Sequence, residues 1–173
     1  MILGNDVFID DTCRFMRPQL VSIGSHAAID FCFYCTTKLT VGDYVHISSH
    51  VSVIGGGEAE LSMDNFSFIS AGSRIICRSD NMKGDGMVGP TIPKKYQDSR
   101  TGNKVTIEKF AGVGTNSVVL PDITMAEGSI LGANSLLTKS TEPWTVYAGS
   151  PAKPISIRSK ENILKMYEEM NQA

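Results

Sequence analysis

The chain has 173 residues, of which 42% are hydrophobic, and this is typical of one globular domain that buries a core. Its formal net charge is -2, whereas proteins that bind nucleic acids or membrane surfaces usually carry a basic face, so we expect neither partner. The sequence contains no run of about 18 apolar residues and begins with no signal-peptide pattern. We therefore expect a soluble, cytoplasmic protein.

The four cysteines include one CxxC pair, formed by Cys32 and Cys35. A structural zinc site needs four Cys or His ligands at characteristic spacings, and the chain has no second CxxC and no histidine at ligand spacing from the first. We expect no metal, and we expect the thiols to lie in the core or on the surface.

Bulky apolar residues recur every six positions along most of the chain. They form six sets of three: Leu3, Ile9 and Phe15; Ile23, Ile29 and Cys35; Val41, Ile47 and Val53; Met63, Ile69 and Ile75; Ile107, Val113 and Val119; and Met125, Leu131 and Leu137. An amphipathic helix would place apolar residues three and four apart, and a hairpin protein would alternate them over short runs. Neither pattern fits this register.

Small residues stand four positions after many of these apolar residues, and glycine often follows the apolar residue directly. The small residues are Ala27, Ser67, Ser73, Ala111, Ser117, Ser129 and Ser135. This pattern describes a chain that turns a corner every six residues, so that three sides close one coil of 18 residues and the coils stack. The sequence therefore predicts an all-β fold, a left-handed parallel β-helix of hexapeptide repeats.

The repeat is interrupted twice. Its phase slips by four residues at 54–58, where three glycines follow one another, and it is lost between Ile75 and Ile107. Long loops on a rigid scaffold are commonly binding or lid elements, so we expect an inserted loop at about 76–104 to serve function. Its apolar side chains suit contact with another surface, such as a neighbouring subunit.

The end of the chain has a different pattern from the repeats. Residues 159–173 predict a short helix with Ser159 as its N-cap, covering the open end of the coil stack. We therefore divide the chain into a β-helix domain at 1–158 and a C-terminal helix at 159–173.

Three segments resemble one family, the hexapeptide-repeat acyltransferases. They are VGDYVHISSHVSVIGGG at 41–57, GPTIPKKY at 89–96 and ILGANSLLTKSTEPWTVYAGSPAKPI at 130–155, within a resemblance that covers about 20–158. The nearer resemblance is to the sugar acetyltransferase branch, which includes the galactoside and maltose enzymes and enzymes that modify O-antigens and nucleotide sugars. It implies transfer of an acetyl group from acetyl-CoA to a hydroxyl or amine of a sugar, such as a nucleotide-linked amino sugar or a surface-polysaccharide precursor.

The resemblance also implies a homotrimer in which acetyl-CoA, as co-substrate, lies between two neighbouring β-helices. The residues that would contact it are Thr115, Ala133, Thr138, Lys139, Lys153 and Arg158. Backbone amides on the flat coil sides suit the pantetheine arm, and the cations suit the CoA phosphates.

Acetyl transfer needs a group that removes a proton from the acceptor, and a neutral imidazole is suited to this near neutral pH. Of the three histidines, His26 lies away from the interruptions and is expected to be an ordinary surface residue. His46 precedes an inward residue, so it should point outward just before the glycine run. This segment resembles the nucleotide-sugar and O-antigen subgroup and favours His46 as general base, with His50 as the alternative. We expect His50, Ser48 and Tyr96 to contact the acceptor.

The galactoside enzymes carry their catalytic histidine at the start of the long loop, where this chain has Asp80. A carboxylate is a weak base for a hydroxyl, but Asp80 could orient His46, bind the acceptor or hold the ammonium group of an amino sugar. We expect direct transfer, with His46 and Asp80 in the catalytic site and backbone N–H groups stabilising the tetrahedral oxyanion.

Two other functions stay open on the same fold. A γ-type carbonic anhydrase needs three histidines around zinc, but His26 and His46 are 20 residues apart and not the 18 that would stack them. A non-catalytic scaffold would have no reason to keep Lys139 together with the AGSPAKPI turn.

Overall fold

The computed structural model describes residues 1–172, which wind into stacked three-sided coils. The strands are, coil by coil, β1 (Ile2–Leu3), β2 (Phe8–Ile9) and β3 (Arg14–Phe15); β4 (Val21–Ile23), β5 (Ala28–Ile29) and β6 (Tyr34–Cys35); β7 (Lys38–Val41), β8 (His46–Ile47) and β9 (Ser52–Ile54); β10 (Glu60–Met63), β11 (Phe68–Ile69) and β12 (Arg74–Ile76); β15 (Lys104–Ile107), β16 (Gly112–Val113) and β17 (Val118–Val119); and β18 (Ile123–Met125), β19 (Ile130–Leu131) and β20 (Leu136–Leu137). Between β12 and β15, the inserted loop holds β13 (Ser79–Asp80) and β14 (Arg100–Thr101). The chain ends with β21 (Thr145–Gly149), β22 (Ala152–Ile157) and the helix α1 (Glu161–Asn171).

Each side of the coil is one sheet. Side 1 runs β1-β4-β7-β10-β15-β18, side 2 runs β2-β5-β8-β11-β16-β19-β21-β22, and side 3 runs β3-β6-β9-β12-β17-β20. Neighbouring strands pair in parallel, except that β22 returns antiparallel to β21. The predicted parallel β-helix, its inserted loop and its C-terminal helix are confirmed.

The inward apolar residues stack directly above one another. On side 2 the register places Ile47 opposite Ile29 and Ile69 opposite Ile47, and all three are fully buried. Burying one such side chain stabilises the fold by about 1.5–3 kcal/mol. The first coil differs, because Leu3 has no coil beneath it and stays 49% exposed.

The corner between sides 1 and 2 carries an aromatic ladder, which we define as His26, Tyr44, Phe66, Phe110 and Trp144. All five have positive φ, which L-residues other than Asn and Asp seldom adopt. The rings stack from coil to coil, with the Tyr44 and Phe66 centroids 4.9 Å apart. The strained corner is therefore compensated by ring contacts, and His26 belongs to this ladder.

Two expectations about the C-terminal helix are wrong. Lys160, and not Ser159, occupies the N-cap position, and the Ser159 hydroxyl donates instead to a carboxylate oxygen of Glu161 at 2.6 Å. The helix also lies against the aromatic ladder and not over the end of the stack. Its Tyr167 ring meets Phe110 edge-on, and the Lys109 ammonium lies 3.5 Å from the centre of the Tyr167 ring.

The end of the stack is closed by the chain that follows β20. Thr141 donates a hydrogen bond to the Ser129 hydroxyl at 2.8 Å, and Tyr147 is buried over the last coil. The helix has no open end left to cover. Ala173, the last residue of the predicted helical segment, lies outside the described residues.

The four thiols differ in reactivity because they differ in burial. Cys35 and Cys77 are buried, and burial raises the pKa of the Cys77 thiol to about 12. Cys32 is exposed. Since the thiolate is the reactive form, an aromatic disulfide reagent at about pH 8 should modify Cys32 fast and Cys35 and Cys77 only after unfolding.

The measurement is the time course of thiol release with and without denaturant. Cys32→Ser should remove the fast phase, while Cys77→Ser should leave it unchanged. A fast phase that survives in Cys32→Ser would contradict the assignment.

Candidate functional site

His46 lies on the outer face of side 2 and pairs with a carboxylate. Its side chain is 53% exposed, and its Nε2 lies 2.9 Å from Oδ2 of Asp30, which follows β5 one coil below. The Ser48 hydroxyl donates to the same Asp30 oxygen at 3.4 Å. With Nε2–H directed at Asp30, the opposite ring nitrogen is free to accept a proton from a bound molecule. The sequence reasoning missed Asp30, although it precedes Ser48 by one coil of 18 residues.

Asp80 lies where the inserted loop leaves the coil at the corner between sides 3 and 1. It belongs to the short antiparallel ribbon of β13 and β14, and its side chain is only 20% exposed. Arg100 Nε lies 3.6 Å from Asp80 Oδ1, and the Gly89 N–H donates to Oδ2 at 3.2 Å. The loop therefore holds this carboxylate in one orientation.

Two adjoining spaces of about 450 and 520 Å³ open beside Asp80, and together we call them the loop cavity. Both are lined by Arg17, Gly55, Gly56, Arg78 and Arg100. The first also has Gly57, Glu58, Lys94 and Gln97, and the second has Met16, Tyr34, Thr36, Ile54, Ser79, Asp80 and Pro90. Three arginines therefore line both spaces; the first space adds Lys94 and Glu58, and the second adds apolar groups and Asp80.

The glycine run forms one wall of this cavity. A Cβ on Gly57 would lie 2.6 Å from Nε of Arg17, and one on Gly55 would lie 2.9 Å from the backbone nitrogen of Arg78. Side chains here would displace the two arginines. The phase slip in the repeat thus makes room for the cations.

The positive potential of the cavity acts on Glu58 at its rim. The hydrogen bond from Arg78 lowers the pKa of the Glu58 carboxyl, and the charges of Arg78, Arg100 and Lys94 add to the effect. Among residues 1–172, the buried Nε of Arg78 has no hydrogen-bond partner. The sequence reasoning missed these cations because the chain separates them widely and the loop has no repeat.

Three of the predicted cofactor residues follow one edge of side 2. Thr115 and Ala133 stand at the corner between sides 2 and 3 on successive coils, and the Asn134 N–H donates to the Thr115 carbonyl at 2.8 Å. Lys153 continues this line on β22, opposite Ala148 of β21. His50 lies at the same corner, with its ring edge-on to Phe31.

The other predicted cofactor residues lie elsewhere. Thr138 and Lys139 follow β20 at the next corner of the last coil. Arg158 packs over Trp144, and its Nη1 donates to the carbonyls of Phe110 and Gly128 at 2.8 and 3.0 Å. Burial lowers the pKa of its guanidinium, which already bonds to the backbone.

Within one chain, the structure does not bring all the predicted site residues together. His46 and Ser48 share Asp30 on side 2, whereas Asp80 lies in the loop cavity at the corner between sides 3 and 1. Tyr96 is exposed on the loop, with the Lys95 ammonium 4.5 Å from its ring centre. His46 and Asp80 therefore lie at different places on the coil.

No metal-binding arrangement of three or more His, Cys, Asp or Glu side chains occurs in residues 1–172. Over the same residues, no helix is long and apolar enough to span a membrane.

The chain was compared with known proteins, and no family model matches it. It is 35% identical over 162 residues to a dTDP-4-amino-4,6-dideoxy-D-glucose acyltransferase from Escherichia coli, covering 92% of this chain and 83% of the relative. It is 31% identical over 142 residues to the putative lipopolysaccharide biosynthesis O-acetyl transferase WbbJ from the same species, covering 79% of this chain and 65% of WbbJ.

Among solved structures, AntD, an N-acyltransferase from Bacillus cereus, matches almost the whole chain. A complex of AntD with dTDP and coenzyme A has a TM-score of 0.92 at 27% identity and covers 99% of this chain and 91% of AntD. A hexapeptide-repeat acetyltransferase from Vibrio cholerae, 18% identical with a TM-score of 0.65, covers 79% of this chain and 73% of its own and supports the fold alone.

These relatives confirm the predicted activity, which is transfer of an acyl group from an acyl-CoA thioester to a sugar. On sequence identity across most of both chains and on whole-chain structural similarity, the protein belongs to the hexapeptide-repeat acyltransferases.

Proposed function

We propose that the protein acetylates the amino group of a nucleotide-linked deoxyamino sugar. The observation that carries this proposal is the position of Asp80, the carboxylate of the more apolar space in a cavity that arginines line throughout. Such a cavity complements a ligand with an amine at one end and phosphates at the other. A sugar hydroxyl in place of the amine would gain far less from a carboxylate.

The comparisons support the same acceptor class. One AntD structure contains dTDP-4-amino-4,6-dideoxyglucose and coenzyme A, and the first E. coli relative is named for the same sugar. Several of the AntD structures carry a substitution of one aspartate, or of a serine that precedes it by ten residues. In this chain, Ser70 and Asp80 are the only serine and aspartate with that spacing. This supports Asp80 as a residue of the acceptor site.

In the proposed mechanism, Asp80 holds the acceptor by accepting a hydrogen bond from its amine, and His46 is the general base. The neutral amine attacks the thioester carbonyl, so that a C–N bond forms, the C–S bond breaks and CoA leaves as the thiol. His46, oriented by Asp30, takes the proton that the nitrogen releases and delivers it to the departing sulfur. Backbone N–H groups of the coil stabilise the oxyanion.

The proposed enzyme is a homotrimer in which neighbouring subunits complete each site. His46 on side 2 of one subunit would face Asp80 and Tyr96 on the loop of the next. Thr115, Ala133 and Lys153, along the edge of side 2, would hold CoA beside His46, with Thr138 and Lys139 at its far end. Arg158 would contribute only through groups that its backbone hydrogen bonds leave free.

One observation favours a second acceptor class, a sugar hydroxyl. The His46–Asp30 pair is an arrangement that can deprotonate a hydroxyl, and WbbJ is named as an O-acetyl transferase. Comparing the amino sugar with the matching hydroxyl sugar as substrates distinguishes the two acceptor classes.

With acetyl-CoA as donor, we expect an amide product from dTDP-4-amino-4,6-dideoxyglucose, at a kcat/KM at least about 100-fold above that for the matching sugar with a hydroxyl in place of the amine. Asp80→Asn should lower kcat/KM for the amine by about 100-fold, because a buried amine loses its acceptor. Asp85→Asn, in the same loop but exposed, is the matched control and should keep normal turnover. Mass spectrometry identifies the acetylated product, and thiol release gives the rate for each sugar and each variant. Equal acetylation of the two sugars would contradict the proposal.

The histidine–aspartate pair predicts graded losses in turnover. His46→Ala should lower kcat at least about 100-fold and Asp30→Asn about 10-fold, both with the KM for acetyl-CoA within about twofold of normal. His26→Asn, which keeps a residue that tolerates positive φ, should keep normal turnover. Near-normal turnover of His46→Ala would remove His46 from the role.

A shared site predicts complementation between two inactive variants. His46→Ala and Asp80→Asn subunits, co-expressed with different tags and purified as mixed trimers, should regain roughly a third of wild-type activity, since one of the three interfaces of each mixed trimer is intact. Mixed trimers with no activity would show that His46 and Asp80 do not act across one interface.

A further inference from the structure

Four basic side chains, one that follows the first coil and three from the inserted loop, line one half of the loop cavity. Arg17 follows the first coil, Arg78 follows β12, and Lys94 and Arg100 belong to the inserted loop. The chain as a whole has a formal net charge of -2, so this cluster is a strong local excess of positive charge. Two carboxylates lie beside it: Asp80, which pairs with Arg100, and Glu58, which is 82% exposed and pairs with Arg78.

Several donors in this cluster have no partner in the described part of the chain. Arg78 Nε is buried without a hydrogen bond, and Lys94 forms no ion pair. Arg17 donates through Nη1 to the Thr36 carbonyl at 2.7 Å, which fixes its side chain and leaves its other N–H groups free. A buried donor without a partner is unfavourable, and guanidinium groups are suited to bidentate contacts with phosphate oxygens.

The second half of the cavity differs in character from the first. It shares the three arginines but lacks Lys94, and it adds Asp80 and a set of apolar groups that includes Met16, Tyr34, Ile54 and Pro90. A deoxy sugar presents a methyl group and an apolar ring face, and its amine would meet Asp80. The cations then lie where the phosphates attached to that sugar would be.

We infer that Arg17, Arg78, Lys94 and Arg100 bind the diphosphate of the nucleotide-linked acceptor, with the amino sugar in the apolar half of the loop cavity. This inference rests on the proposed function for the identity of the acceptor. Glu58 occupies Arg78 in the free protein and competes with the phosphate oxygens.

Coenzyme A also carries a diphosphate, so the diphosphate that these cations bind could belong either to CoA or to the nucleotide of the acceptor. The row of Thr115, Ala133 and Lys153 that suits CoA follows the corner between sides 2 and 3. The loop cavity opens at the corner between sides 3 and 1. The nucleotide of the acceptor is therefore the ligand we assign to the cations.

The test is calorimetric titration of the purified full-length protein with dTDP, thymidine and inorganic pyrophosphate, without acyl donor. dTDP should bind at least about 10-fold more tightly than thymidine, and its affinity should fall with added salt. Lys94→Ala should weaken dTDP binding about fivefold. Lys95→Ala, the adjacent residue, lies over the Tyr96 ring outside the cavity lining and should leave it unchanged.

The variant Glu58→Gln should change dTDP affinity in the opposite direction to Lys94→Ala. Removing the competing carboxylate should tighten dTDP binding by a few-fold, which a residue that only supports the fold would not do. Both Lys94 and Glu58 are exposed, so these variants should fold even where an arginine variant does not.

Equal affinities of Lys94→Ala and Lys95→Ala for dTDP, or no preference for dTDP over thymidine, would overturn the inference. Displacement of dTDP by coenzyme A in one-to-one competition would also overturn it, because the cations would then serve the donor. If the amino sugar is acetylated normally by Lys94→Ala, the proposed function stands and only the diphosphate assignment fails. If dTDP binds as expected but no amide forms, only the proposed function fails.

Discussion

The coil structure depends on the stacking of each inward side chain on the one in the coil below. Ile29, Ile47 and Ile69 lie one above the next in the same register, and each is buried only because its neighbours are present. The outward residues must adopt the same register. Asp30 therefore lies within hydrogen-bonding distance of His46 and Ser48 through the same repeat that builds the core.

The interruptions leave this stacking intact, which explains how the fold can carry a binding site. The strands before and after the inserted loop still pair in parallel, with Ile75 of β12 opposite Val119 of β17. The glycine run and the loop project from the corner between sides 3 and 1, where they add cations and a carboxylate without disturbing a buried residue. The stacked core thus supplies stability, and the corner between sides 3 and 1 carries the loop cavity of the proposed acceptor site.

Much of the fold could be predicted from the sequence, because burial repeats every six residues and a period is visible in one chain. The site was less accessible. Asp30 could have been found from its distance of 18 residues to Ser48, whereas Arg17 and Arg78 are brought together only by the three-dimensional path of the coil. The position of the C-terminal helix depends on Tyr167 meeting the aromatic ladder, a contact that no local pattern indicates.

The first coil is more exposed than the coils that follow it, so the two ends of the solenoid are not equally well packed. Leu3 contacts a coil on one side only. At the other end, Tyr147 is buried over the last coil, and Tyr167 of the helix packs against the rings of Phe66 and Phe110 on coils four and five. In a nearest-neighbour stack, opening starts where one interface is missing and proceeds rung by rung. Opening at the first coil would therefore disturb the part of the loop cavity that Met16 and Arg17 line.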